Sequence, residues 1–168
     1  HGTSREACTA HHALWLTHPP PRHDPAATEI DAGTSATCAL SFGGLHCWGR
    51  SGDPTMVLLG TFGTAGVGVV SGRPITIEGL EREVITDVSV GGGHICVLTS
   101  PGDVWCWGYN QNGQLGRGDL PPTPGQISAD PVPQRVVGLG AAARQVAAGG
   151  SFTCALLTTG AVKCWGRG

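Results

Sequence analysis

The chain has 168 residues, 40% of them hydrophobic and only 13% charged, with a formal net charge of −2. The near-neutral balance, with no cluster of Lys or Arg, excludes an electrostatic footprint for nucleic acid or an anionic membrane. Twenty-eight glycines and 12 prolines exclude a mainly helical protein and predict one all-β domain of short strands and many turns.

In chain order, the head comes first. Residues 1–29 show no initiator Met, basic start or sustained apolar core of a secretory signal, so the chain is expected to begin after processing or inside a longer protein. Five of the seven histidines (His1, His11, His12, His18 and His23) lie here with Cys8 and "HPPPRHDP". Cys/His-rich tracts bind metal, but no pair has zinc-finger spacing. The prolines and the lack of periodicity predict a poorly ordered segment or the degenerate outer part of a preceding repeat unit. Cys8 is the odd cysteine, free or paired between chains.

The first hairpin is read over 30–50, where Cys38 faces Cys47 and Leu40 faces Leu45 around "SFGG". An uncharged stretch, "PTMVLLGTFGTAGVGVVSG" (54–72), is long enough for a membrane span, but its glycines, proline and threonines argue against one. "RPITIEGLEREVITDVSVG" (73–91) then supplies two strand-like segments. The second hairpin, 88–110, sets Cys96 opposite Cys106 and Leu98 opposite Val104, with residues 99–103 as a five-residue turn. "NQNGQLG" follows as a polar turn, anchored by Leu115 and continued by Gly116. "DPVPQRVVGLGAAARQVAAG" (130–149) repeats the order of 73–91. The third hairpin, 146–168, sets Cys154 opposite Cys164 and Leu156 opposite Val162.

These hairpins are copies. Cys38, Cys96 and Cys154 are each 58 residues apart. Gly33, Gly91 and Gly149 each precede the first Cys by five, and Trp48-Gly49, Trp107-Gly108 and Trp165-Gly166 close each copy. A fixed period in this range marks a solenoid, propeller or array. Cysteines opposite one another on antiparallel strands are close enough to bridge, which predicts three disulfides, one per repeat. Reduced core cysteines are the rival reading. A metal or redox centre fits less well, because Cys-x-x-Cys is absent and the pairs are spread one per repeat.

"WGYNQNGQLGRGD" (107–119), preceded by "GGGHICVL" and followed by "PQRVVGLG", resembles the repeat of the regulator of chromosome condensation family. The resemblance covers residues 30–168, and it implies β-propeller blades, each a four-stranded sheet, in a ring of seven. Seven blades at this period need about 400 residues, so three repeats cannot close a ring. The chain is therefore expected to be a fragment, an incomplete gene product or part of an oligomeric ring, with further blades from the same or another chain. Neighbours in a strand alternate between faces, so Trp107 is expected to pack against an adjacent blade while Cys106 serves the bridge; Trp48 and Trp165 are read likewise. The first repeat departs from the pattern, with three extra residues in "WGRSGDPTMVLLG", and Ala36 and Phe152 replace the His found at His94.

No catalytic or metal motif is present: no Gly-x-Ser-x-Gly, no His-Glu-x-x-His, no calcium loop. The acidic residues, Asp31, Asp53, Glu78, Glu81, Glu83, Asp87, Asp103, Asp119 and Asp130, read as a solvated rim. His46 and His94 read as single strand histidines. The expected function is a non-catalytic protein–protein interaction module with no cofactor, no metal, no nucleic acid and no membrane span. Its partner is an unidentified protein, met by loops 50–72 and 109–130. Disulfides would place it outside the reducing cytosol, secreted, periplasmic or at the cell surface. The alternative implied by the resemblance is guanine-nucleotide exchange on a small GTPase.

Overall fold

A computed structural model of the chain describes residues 26–34, 36–41, 44–50, 70–77, 79–119 and 128–168. Residues 1–25, with the head histidines and Cys8, and most of the uncharged stretch 54–72 lie outside that set. Among the described residues every regular element is a β-strand, and no helix is long and apolar enough to cross a membrane.

The strands of the described residues form three antiparallel sheets. The first runs β1 (Glu29–Ala32), β2 (Ala36–Ser41), β3 (Gly44–Arg50), β4 (Val70–Thr76), and the second runs β5 (Val84–Val90), β6 (His94–Ser100), β7 (Asp103–Tyr109), β8 (Ala129–Arg135), in both cases in chain order. The third pairs β9 (Ala143–Ala148), β10 (Phe152–Leu157) and β11 (Val162–Gly166) around a central β10. β4 and β8 carry Pro74, Pro131 and Pro133, which suits strands that close a sheet edge, because proline has no amide to give to a further neighbour.

The hairpin registers follow from the cysteine spacing. Cys38 pairs with Cys47 and Leu40 with Leu45; Cys96 with Cys106 and Leu98 with Val104; Cys154 with Cys164 and Leu156 with Val162. The first two turns are tighter than expected. Thr99 pairs with Asp103, so the second turn contracts to residues 100–102, closed by Gly102 N–H donating to the Thr99 carbonyl. Gly102 takes φ 114°, a conformation its missing Cβ permits. In the first hairpin the ladder likewise extends to Ser41 opposite Gly44.

Period-two alternation gives each sheet two faces, and the sheets stack face to face. One core lies between the first two sheets, joining Cys38, Leu45 and Cys47 to Val88, Ile95, Val97 and Trp107. A second lies between sheets two and three, joining Cys96, Leu98, Val104 and Cys106 to Leu115, Val146, Ala155 and Leu157. β6 therefore buries both faces, and its first six residues are all buried, whereas β2 and β10 alternate. β1 touches β5 and β5 touches β9, so the first strands of successive sheets lie side by side. That is the arrangement of propeller blades about an axis.

Candidate interaction site

The joints between blades position everything else. Where the first strands meet, backbone runs against backbone. A Cβ on Gly33 would lie 2.4 Å from the Gly91 carbonyl oxygen, and one on Gly91 would lie 2.5 Å from that of Gly149. The glycine five residues before each first cysteine is thus the contact point of successive blades. Side chains then reach across the joint to amides of the next strand. Asp31 Oδ2 accepts from Val90 N–H at 2.7 Å, and Ser89 Oγ accepts from Ala148 N–H at 3.0 Å. Both bonds span 59 residues, one repeat plus one. Asp87 Oδ2 accepts from Val146 N–H at 3.4 Å. The reading of Asp31 and Asp87 as solvated rim is corrected here: a strand end at a blade joint faces amides, not only water. The available signal was that Asp31 and Ser89, both with acceptor oxygens, stand one period apart.

A second link binds blade two, blade three and the loop between them. His94 is fully buried at the start of β6, and its Nε2 lies 2.7 Å from Thr153 Oγ1 on β10. The threonine hydroxyl has one proton and donates it to the Gln114 carbonyl at 2.9 Å. His94 must therefore donate from Nε2–H, leaving Nδ1 buried and without a hydrogen-bond partner among the described residues. Burial holds the ring neutral, lowering its pKa from 6.5 to about 4. The Gln114 carbonyl also accepts from Trp165 Nε1–H at 2.9 Å.

The loop after β7 is rigidly built. Asn110, nearly buried, accepts from Leu115 N–H through Oδ1 and donates to the Asp119 carbonyl through Nδ2. Gln114 Oε1 accepts from Asn112 N–H. Leu115 is fully buried in the core between blades two and three. Gly116 packs where a Cβ would lie 2.7 Å from Trp165 Nε1. Arg117 reaches back to Asp130 Oδ2 at 2.5 Å and to the Cys106 carbonyl at 3.2 Å, fastening β8 to β7. Between this loop and β11 lies an open groove of about 510 Å³, lined by Asn112, Asp119, Val137, Leu139, Lys163 and Trp165. Residues 51–69 and 120–127, the rest of the expected contact loops, lie outside the described set.

The other repeat residues also have places. Cys38–Cys47, Cys96–Cys106 and Cys154–Cys164 are disulfides with Cα–Cα distances of 4.1, 4.2 and 4.0 Å, the short spacing of non-hydrogen-bonded pairs. Trp107 is fully buried against the first blade, on the face opposite Cys106; Trp165 packs against the second blade, and Trp48 is half-buried. Gly49, Gly108 and Gly166 all have positive φ, and the pairing with the closing strand shifts between Cys47 and Gly49 and between Cys106 and Gly108. The Trp-Gly pair is thus a bulge signal that lets β4 and β8 turn across the edge.

Comparison with known proteins agrees with this geometry. The family described as "Regulator of chromosome condensation (RCC1) repeat" matches residues 101–156 and, in a second form, residues 85–114. The ultraviolet-B receptor UVR8 of Arabidopsis thaliana is 33% identical over 144 residues, covering 83% of this chain and 29% of its own. The chain is an RCC1-like repeat protein. The yeast RCC1 protein Prp20, in a crystal structure with Kap60 bound, superposes with TM-score 0.66 at 22% identity, over 83% of this chain and 32% of Prp20. A crystal structure of Prp20p from Saccharomyces cerevisiae, whose description includes its binding to Gsp1p and histones, gives TM-score 0.64 at 21% identity, over 94% and 37%. The RCC1-like chain thus spans about a third of the length of these relatives.

Proposed function

We propose that this RCC1-like chain is a non-catalytic protein-binding module working outside the reducing cytosol, with loop 110–119 and its groove as the contact surface. The observation that carries this reading is the contrast between the two parts of the blade. The hairpins are each crossed by a disulfide, which suits an oxidising compartment. The loop presents exposed Asp119 beside a groove, yet is pinned beneath by Leu115, Asn110 and Gln114, so it meets a partner at little ordering cost. Protein binding by Prp20, whose structures name Kap60, Gsp1p and histones, supports a binding role for the fold. Guanine-nucleotide exchange is the second reading; its support is the likeness to Prp20, which at 22% identity carries the fold alone.

Alkylation of the chain isolated from its native source without reductant, followed by intact mass, tests the compartment. One labelled cysteine, Cys8, and six protected ones are expected; seven labelled cysteines would refute it and bring the exchange reading forward. An alanine block over residues 111–113 and 117–119 should abolish partner binding, and unchanged binding would remove the loop from the proposal.

A further inference from the structure

A connector leads from the outer strand of each blade to the inner strand of the next, and Gly79-Leu80 in the first matches Gly138-Leu139 in the second. Both glycines have positive φ, 91° and 75°, and both leucines pack inward. In the first connector the next residue is Glu81, whose Oε1 accepts from Gly79 N–H at 2.8 Å. Hydrogen bonds from the Gly79 amide and from its own amide hold the Glu81 carboxyl below the usual carboxylate range. In the second connector the matching residue is Gly140, which has no side chain to offer. Among the described residues neither Gly138 N–H nor Gly140 N–H has a hydrogen-bond partner. A cation stands at the vacant place: a Cβ on Gly140 would lie 3.5 Å from Lys163 Nζ, which donates to the Gly138 carbonyl at 2.9 Å. The connector also borders an open cavity of about 540 Å³, lined by Pro101, Asp103, Arg135, Val137, Leu139 and Gly140.

We propose that the second connector binds a carboxylate from outside the chain, an acidic side chain of a partner peptide, in the place that Glu81 fills in the first. Backbone amides at such turns form anion-binding concavities, and Gly138 and Gly140 supply two free donors. Lys163 supplies the charge. Arg135 is engaged by Asp103, whereas Lys163 has no carboxylate partner among the described residues, Asp119 in the adjoining groove included. Pro101, Val137 and Leu139 offer apolar surface to a residue beside the acidic one. The place stays open where an outer strand flanks it: β8 brings Pro133 to 3.7 Å from where a Cβ on Gly79 would lie, and Glu81 is still exposed. The site shares Leu139 and Lys163 with the groove beside loop 110–119, so it gives a partner chemistry to that contact surface and rests on that reading. Peptide binding is read at the connector itself, so it can fail while the alanine block in the loop still abolishes partner binding, and the reverse.

The test follows backbone amides by heteronuclear NMR of the oxidised full chain, titrated with acetyl-Leu-Glu-amide and, as control, acetyl-Leu-Gln-amide. The glutamate peptide should move the Gly138 and Gly140 amides saturably, with a Kd on the order of 1–10 mM, and the glutamine peptide should leave them still. Lys163→Gln should weaken binding at least about fivefold, because the ammonium is the only full positive charge placed at those amides. Unchanged dispersion of the remaining amides checks that the variant folds. Glu81→Ala should add Gly79 to the amides that respond, since it vacates the equivalent place in the first connector. Gly138 and Gly140 amides that stay still up to about 20 mM peptide overturn the proposal, as does an equal response to both peptides. Lys163→Gln binding as tightly as the wild type, or a silent Gly79 amide in Glu81→Ala, overturns it too. Inorganic phosphate that moves these amides where the glutamate peptide does not would overturn the assignment to a carboxylate.

Discussion

Acid should unfold this protein through His94. The imidazole is fully buried, donates from Nε2 to Thr153, and among the described residues has no acceptor for the N–H that protonation would create at Nδ1. Its folded pKa is about 4 against 6.5 for the free group. Because the folded value is depressed and the group is a base, the unfolded chain binds the proton first as pH falls. The full stability is present above pH 6.5, is lost progressively towards pH 4, and levels off below it. Those two values correspond to about 3 kcal/mol lost by pH 4. Urea unfolding of the oxidised protein at half-unit steps from pH 7.5 to 4, compared with His94→Gln, isolates the effect. Glutamine keeps a donor near Thr153 but does not titrate, and the carboxylates common to both proteins cancel. The difference between the two stabilities should change by about 3 kcal/mol across the window, with the wild type losing more. Parallel curves would show that His94 is not neutral and buried as described.

Three further outcomes follow from the joints and the loop. Gly91→Ala places a methyl 2.5 Å from the Gly149 carbonyl oxygen and the His94 ring, and should cost about 3 kcal/mol in the same urea assay. Replacing Cys96 and Cys106 together by serine opens a loop of ten-residue separation and should lower stability by roughly 2.7 kcal/mol in the chain-entropy model, read as a shift of the unfolding midpoint. Leu115→Ala empties a fully buried site between blades two and three and should cost roughly 2–5 kcal/mol. Amide exchange in residues 110–119 should rise with it, and unchanged protection there would show that Leu115 does not pin the loop.

The sequence by itself determined the repeat, the hairpins and their register. Those depend on local spacing: a cysteine nine or ten positions from its partner, leucine two beyond it and glycine at the turn leave one antiparallel alignment that puts all apolar side chains on consistent faces. Trp107 lies on the face opposite Cys106 because neighbours in a strand alternate. Tertiary structure alone decided what crosses between repeats. Asp31 looks like any surface carboxylate until the neighbouring blade brings Val90 N–H to it. His94 looks like any strand histidine until Thr153 and the Gln114 carbonyl fix which nitrogen carries its proton. The turns also closed one pair further than their residue types indicated, because Gly44 and Gly102 adopt backbone angles that let the ladder continue. Contacts inside a hairpin are set by spacing along the chain, whereas contacts between blades are set by how two finished sheets stack. Which side chain meets which amide there depends on the rise and twist of whole sheets, a property that no short stretch of residues carries.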